Sequence, residues 1–318
     1  MYPLKLTPAF KDYIWGGARL RTDFNKSSML DRLAESWELS CHKDGNSVIS
    51  NGEYKDRTLA EYIANAGKEV LGTRCEKFDK FPILIKLIDA RDNLSVQVHP
   101  DNGYALREEG EYGKTEMWYI VDCDEGAQLL YGFEREISRE EFVRRIQDNT
   151  LLEVTRSVPV KKGDVFFIEA GTLHAIGKGI VIAEIQQNSN TTYRIYDYGR
   201  VGTDGKPREL HIDKAVEVTS RMPAPSRPLA NTVEKEGYSS KRLASCDYFT
   251  VDALDIRTTA ELTADASSFH SLLVLEGYVM LQYRGRDMKI SKGDSLFIPA
   301  GFGGYSIVGE CKLLLTTV

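Results

Sequence analysis

Long apolar runs, paired cysteines and an excess of positive charge are all missing from this 318-residue chain. Its most apolar stretch, Phe81 to Ile88, contains Lys86 and falls far short of the ~20 residues a membrane-spanning helix needs. The opening residues, Met1-Tyr2-Pro3-Leu4-Lys5, lack the apolar core of a signal peptide. Five cysteines, Cys41, Cys75, Cys123, Cys246 and Cys311, are odd in number and at least 34 residues apart. That spacing excludes a CxxC metal or redox motif and argues against a disulfide framework. Lys+Arg number 41 against 47 Asp+Glu, a net charge of −6, so no broad nucleic-acid or membrane surface is expected. No GxSxG nucleophile elbow is present. The expectation is a cytoplasmic protein in which any bound anion meets local positive charge. With 42% hydrophobic and 28% charged residues, the chain has ample material for about two globular domains.

What is present first is a repeat. Residues 163–171 read GDVFFIEAG and residues 293–301 read GDSLFIPAG, agreeing at Gly, Asp, Phe, Ile, Ala and Gly, with a lysine before each copy. Upstream, Trp118–Val121 followed by Glu125-Gly126 resembles Ser271–Val274 followed by Glu276-Gly277. Each copy reads as an apolar strand, an EG turn, a second strand, then GD, a strand and an AG turn. Between them, residues 221–237 carry Pro223, Pro225 and Pro228, a linker that cannot hold a helix or a central strand. Many short strands dominate the remainder. Two helices are signalled: a capping box at Thr58–Glu61 with helical spacing up to Gly72, and a second at Ser138–Glu141 with Ile137 and Phe142 as a hydrophobic staple. The fold class expected is mostly β, a pair of jelly-roll barrels with a few peripheral helices.

Only five histidines occur: His42, His99, His174, His211 and His270. In Leu94–Asp101 a strand places Ser95, Gln97 and His99 on one face and Val96 and Val98 on the other. Three polar side chains on a sealed apolar face would each lose about 1–3 kcal/mol if unpaired, so that face is expected to line a site. Lys114, Glu116 and Trp118 share a face of the next strand, and His174 follows the first AG turn. The second copy is an internal control. It has Gly304 at the His174 position and Phe269 opposite Glu116, with His270 one residue out of phase and expected on the other face. One site-bearing barrel and one degenerate barrel follow. Two histidines, a carboxylate and an amide oxygen from Gln97 suit a divalent transition metal, Zn²⁺ first, although Fe²⁺ also accepts two histidines and a carboxylate.

Glu184 through Arg194 end an apolar strand in dense amides, hydroxyls and one arginine, the composition of a ligand-facing loop. Two other patterns fail on context. Gly113-Lys114-Thr115 has Glu108 where a phosphate loop needs glycine and a strand where it needs a helix. Gly177-Lys178-Gly179 lacks the third glycine of a dinucleotide fingerprint. His42 and His211 read as ordinary structural histidines.

Taken together, Trp15-Gly16-Gly17, Ala34–Glu38, Leu94–Pro100, Gly113–Tyr119, Ala170–Ala175 and Glu184–Arg194 make the chain resemble the type I mannose-6-phosphate isomerases in their short bacterial form. The match runs in order through about the first 220 residues; the C-terminal third resembles only a degenerate cupin. The resemblance implies two tandem cupin-type β-barrels: a catalytic unit over 1–220, the linker 221–237, and a metal-free unit over 238–318. It implies Zn²⁺ held by Gln97, His99, Glu116 and His174, and interconversion of mannose 6-phosphate and fructose 6-phosphate. It places Arg194 at the family's active-site arginine and Lys86, Ser95 and Lys114 at pocket positions. Glu184 or Lys114 carries the proton. The large helical insertion of longer members is absent, so phosphate-gripping loops do not carry over.

Two other functions fit the same scaffold, because fold does not fix chemistry. One is a metal-dependent oxygenase, separable by Fe²⁺ content and oxygen uptake. The other is a non-catalytic sugar-phosphate-binding module. The partner expected in each phosphosugar case is a small molecule, with Mn²⁺ and Co²⁺ able to share such a metal site.

Overall fold

A computed structural model describes residues 1–202, 205–226 and 230–318. Pro228 of the expected linker lies outside the described residues.

Two antiparallel sheets face each other in the first unit. The inner sheet orders its strands as Val165–Ile168, Glu116–Cys123, Ile180–Gln187, Ile83–Ala90, Glu35–Leu39 and Ala9–Lys11. The outer sheet runs Thr155–Pro159, Gln128–Phe133, His174–Ala175, Val96–Val98 and Tyr193–Tyr196. Period-two alternation sorts their side chains. Ile88, Trp118, Ile120 and Ile182 of the inner sheet meet Leu129 and Tyr131 of the outer sheet in the barrel interior. The intervening Ile85, Leu87, Met117, Ala183 and Ile185 point the opposite way, into a second core with Phe249, Leu273, Phe297 and Leu314. That core glues the two units together. On the outer sheet, Val96, Val98, Tyr193 and Ile195 are covered by Phe142 and Ala215 from helices Arg139–Gln147 and Ile212–Val218.

Apart from the small hairpin of Cys41–His42 and Gly45–Asn46, the remaining strands form one branched eleven-stranded sheet with its own apolar interior. Leu4–Thr7 belongs to this sheet, pairing with Ser295–Ile298, so the chain's first strand is stitched into its last unit. The segment after Pro225 ends in a short edge strand, Val233–Lys235, at the end of the same sheet.

Four sequence expectations are corrected in detail. The helix begun by the Thr58 capping box stops at Ala66, because Gly67 adopts φ 91° and restarts the chain as a 3-10 turn through Leu71. Ser138 does cap its helix, but Glu141 turns to Arg135 and Arg145 instead of closing the box. Glu276-Gly277 is not a turn: one strand runs through it from His270 to Tyr283, absorbing the irregularity as a register shift. His270 is also not out of phase. It pairs with Ile298 as Glu116 pairs with Ile168, so it occupies the same ladder position in the second unit. The backbone confirms this register, since Gly163 N donates to Ile120 O and Gly293 N to Val274 O, both at 2.8 Å. The spacing before the EG pair differs between the copies, and that difference misled the alignment by one residue.

Candidate metal centre and its cavity

Strand pairing assembles the cluster. His174 pairs with Gln97 on one side of the short central strand, and Arg194 pairs with Gln97 on the other. Glu116 opens its strand directly across from this edge, fully buried with His99 and His174. Ser95, Gln97 and His99 do share the interior face, with Val96 and Val98 against the helices. Ligand atoms of His99, Glu116 and His174 lie within 4.8 Å of one another.

The imidazoles are oriented for a cation. Nδ1 of His99 faces the Thr191 carbonyl at 2.9 Å, and Nδ1 of His174 faces the Thr172 carbonyl at 2.8 Å. A carbonyl only accepts, so each Nδ1 carries its proton and each Nε2 presents a lone pair. His99 Nε2 is 3.7 Å and His174 Nε2 3.5 Å from the oxygens of Glu116. Two ligand atoms on a tetrahedral zinc at ~2.1 Å stand ~3.4 Å apart, close to both separations. The Gln97 amide is 3.4 Å from His174 Nε2 and accepts from Ser95 Oγ at 3.2 Å. Which amide atom faces inward is an assignment, and a rotation of the amide turns its oxygen to the cluster. Oε1 of Glu116 takes no hydrogen bond although fully buried. An orphaned carboxylate oxygen beside two unprotonated imidazole nitrogens fits a divalent cation.

Lys114 supplies a cation here. Its Nζ lies 3.0 Å from His99 Nε2 and 2.6 Å from Glu116 Oε2, the latter a close ion pair off the line of a hydrogen bond. It also lies 3.9 Å from Glu184 Oε1. Glu184 accepts from Trp118 Nε1 at 3.0 Å and pairs with Lys86 at 3.2 Å. Lys86 in turn stands 3.6 Å from Glu35, which accepts from Trp37 Nε1 at 2.7 Å. Charges therefore alternate in sign through the barrel interior: Glu35, Lys86, Glu184, Lys114, Glu116.

Burial and these neighbours set the protonation states. Burial holds His99 well below 6.5, with Lys114 adding to the effect. Burial and Lys114 push His174 down to about 4. Burial works to raise Glu184, but Lys114 and Lys86 outweigh it and keep its carboxyl low and ionised. Glu116 goes up, because burial and the charge of Glu184 together exceed the pull of Lys114. Lys86 also rises: Glu35 and Glu184 overcome the desolvation that would lower it.

These groups open onto a cavity of about 250 Å³ walled by Lys86, Ser95, Gln97, Lys114, Glu184 and Arg194. Arg194 donates from Nη1 to Glu209 O at 2.8 Å, and its buried Nε has no partner. All nine residues singled out in the sequence are thus gathered around one cluster and its cavity. Tyr13, Trp15, Glu35 and Arg208 also line it and received no role from the sequence. Glu35 lies in the Ala34–Glu38 block of the family resemblance, without a role there; in the fold it is an acid on a strand buried at every position. Arg208 carried no signal; Asp197 clamps it at 2.5 Å. A larger, mainly apolar cavity of about 690 Å³ near His42 contains none of the cluster residues.

Comparison with known proteins agrees with this architecture. Residues 3–120 match the phosphomannose isomerase type I catalytic domain, and residues 239–318 match the mannose-6-phosphate isomerase cupin domain. The chain is 38% identical over 315 residues to mannose-6-phosphate isomerase ManA of Bacillus subtilis, covering 99% of this chain and 98% of that protein. It is 39% identical over 313 residues to mannose-6-phosphate isomerase of Streptococcus mutans, covering 98% and 97%. A crystal structure of the mannose 6-phosphate isomerase from Bacillus subtilis superposes with a TM-score of 0.94 at 38% identity, over the full length of both chains. Phosphomannose isomerase of Salmonella typhimurium shares the fold, with a TM-score of 0.78 at 18% identity and 99% coverage of both chains. From its whole-length relatives and from both domain matches in order, this chain belongs to the type I phosphomannose isomerases, mostly-β proteins with a cupin domain.

Proposed function

We propose that this protein interconverts D-mannose 6-phosphate and D-fructose 6-phosphate. The observation that carries the proposal is the His99–Glu116–His174 cluster, buried beside Lys114 and Glu184 in a cation-walled cavity. Gln97, His99, Glu116 and His174 would hold one Zn²⁺, whose chemistry is to orient the sugar and polarise its oxygens. In the forward direction the C2 proton leaves to a base and the C2–H electron pair forms the C1–C2 double bond. The carbonyl π pair moves onto O1, which takes a proton. The resulting enediol then loses the O2 proton, its electrons form the C2 carbonyl, and C1 is protonated.

Lys114 and Glu184 are the proton-carrying pair. Glu184 stays ionised between two lysines and is ready to accept, while Lys114 has three protons to give within reach of the same space. Arg194 faces the cavity with an unpaired Nε and stabilises negative charge developing on O1 or O2. Lys86 and Ser95 complete the polar wall, and Arg208 adds a second guanidinium at its edge for the phosphate dianion. The chemistry is assigned to the unit 1–220. The unit 238–318 covers its apolar inner-sheet face. Five widely spaced cysteines, odd in number, suit a reducing cytoplasm, where the soluble phosphosugar is the partner.

The test is fructose 6-phosphate formation from mannose 6-phosphate by native, chelator-stripped and Zn²⁺-restored protein, with Mn²⁺ and Co²⁺ in parallel. Activity that disappears on stripping and returns with Zn²⁺ supports the assignment. A folded, metal-loaded protein without turnover rejects it.

A further inference from the structure

His99 can present a bare Nε2 only while the Thr191 carbonyl holds its Nδ1 proton, and that carbonyl sits on a loop. Residues 188–192 cross from the inner sheet to the outer one without regular structure. The start of the loop is held by Gln186 Nε2 on Ser189 O at 2.6 Å and by Asn188 Nδ2 on Phe81 O at 2.9 Å, and Thr191 N donates to Ser189 Oγ at 3.2 Å. At Asn190 and Thr191 a carboxylate from elsewhere adds its hold. Glu111 Oε2 accepts from Asn190 N and from Thr191 Oγ1, each at 3.3 Å. Its Oε1 pairs with Lys43 Nζ at 2.7 Å and lies 3.5 Å from His42 Nε2. Asn190 adds a second tie, donating from Nδ2 to Asp44 Oδ2 at 2.9 Å. The hairpin Cys41–Asn46 and the loop carrying Thr191 are therefore joined both directly, through Asp44, and through one largely buried carboxylate, Glu111.

We infer that Glu111 is a positioning residue for the metal centre: by holding Asn190 and Thr191 it aims the Thr191 carbonyl at His99 and so governs how tightly the cluster retains its ion. Glu111 reaches neither the cluster nor the cavity of about 250 Å³, so it acts only through that loop. Outer-shell hydrogen bonds of this kind orient ligating histidines, and their loss typically costs roughly 10–100-fold in metal affinity. The carboxylate suits the position because one oxygen must accept two hydrogen bonds while the other meets a lysine. The substitution Glu111→Gln would keep an acceptor for the loop and lose the ion pair. Glu111→Ala would lose both.

The inference rests on the metal reading above, and the experiment separates the two. Zinc affinity is measured by chelator competition on the full-length wild type, Glu111→Ala, Glu111→Gln and Thr191→Val. Glu109→Gln serves as a comparator, because that nearby carboxylate bonds Tyr193 and Lys214 and not the Thr191 loop. A wild type that binds no zinc defeats the metal reading itself. If wild type binds, the expected result is a roughly 10–100-fold loss in Glu111→Ala. Glu111→Gln and Thr191→Val should lose less, and Glu109→Gln should match wild type. Visible spectra of Co²⁺-loaded protein should change in Glu111→Ala and not in Glu109→Gln. Wild-type affinity in folded Glu111→Ala, or an equal loss in Glu109→Gln, overturns the inference. Should Glu111→Ala fail to fold, wild-type affinity in both Glu111→Gln and Thr191→Val overturns it equally.

Discussion

The ammonium of Lys114 lies 3.0 Å from His99 Nε2, the very nitrogen a metal ion needs. A metal ion bound there would share that lone pair and the carboxylate of Glu116 with the lysine. A cation at that distance would repel an arriving divalent ion.

Lys114→Met should separate binding from chemistry. Removing the ammonium relieves repulsion, so zinc affinity should hold at the wild-type level or rise. Turnover should fall by about 10²–10⁴-fold, the range for loss of a proton-transfer group. Zinc titration and kcat on the same preparation decide it. A variant that loses zinc and activity together would recast Lys114 as a structural support.

The histidines should divide sharply by barrel. His99→Ala or His174→Ala should lose metal and activity together, because each removes a buried ligand atom of the cluster. His270→Ala should change neither. In the second unit His270 holds the ladder position of Glu116, yet it faces Tyr305 Oη at 2.8 Å among apolar neighbours such as Leu272 and Ile298. Zinc content by elemental analysis, run alongside turnover, checks all three. Metal loss in His270→Ala would assign the second barrel a site of its own.

Arg194 and Arg208 should part company kinetically. Arg194→Ala leaves the cluster intact and should keep zinc, while kcat drops by about 10²–10³-fold as for loss of one oxyanion partner. Arg208→Ala sits at the cavity edge and should act mainly through KM for the phosphosugar. Near-wild-type kcat in Arg194→Ala would remove it from the chemistry.

Much of this site was legible because its residues lie on strands, where alternation alone places Ser95, Gln97 and His99 together and sends Val96 and Val98 outward. The blocks carrying Glu116 and His174 are specific enough to bring the cluster together from the sequence alone. Contacts made by loops and by tertiary packing were not legible. Glu35 and Arg208 enter the cavity from distant segments, and Glu111 reaches the His99 shell only through a loop conformation. The phase of His270 also escaped, because a register shift near Glu276 changes the spacing between the motifs used to align the repeats. The pairing of Leu4–Thr7 with Ser295–Ile298 joins the two ends of the chain, and no local pattern encodes such a partner.

Acidification should cost the chelator-stripped protein stability at its buried histidines, and His270 gives a clean way to read that contribution. Burial lowers its pKa from 6.5 to about 4, so the folded protein resists protonation there while the unfolded chain does not. Between these values the unfolded state binds more protons. The contribution is therefore complete above pH 6.5 and lost as pH falls toward 4. From pH 7.5 to 5.0 the loss from this one group is about 2 kcal/mol by linkage. His174 acts in the same direction. The buried acids Glu116 and Glu38 are raised and act in the opposite one, so the total slope mixes signs. The wild type minus His270→Gln difference isolates the contribution of this one imidazole. The lost bond to Tyr305 shifts stability at both pH values alike, and only the titration changes between them. Urea unfolding at the two pH values should show the variant losing about 2 kcal/mol less than wild type on acidification. Equal losses would mean that His270 is already free to protonate in the folded barrel.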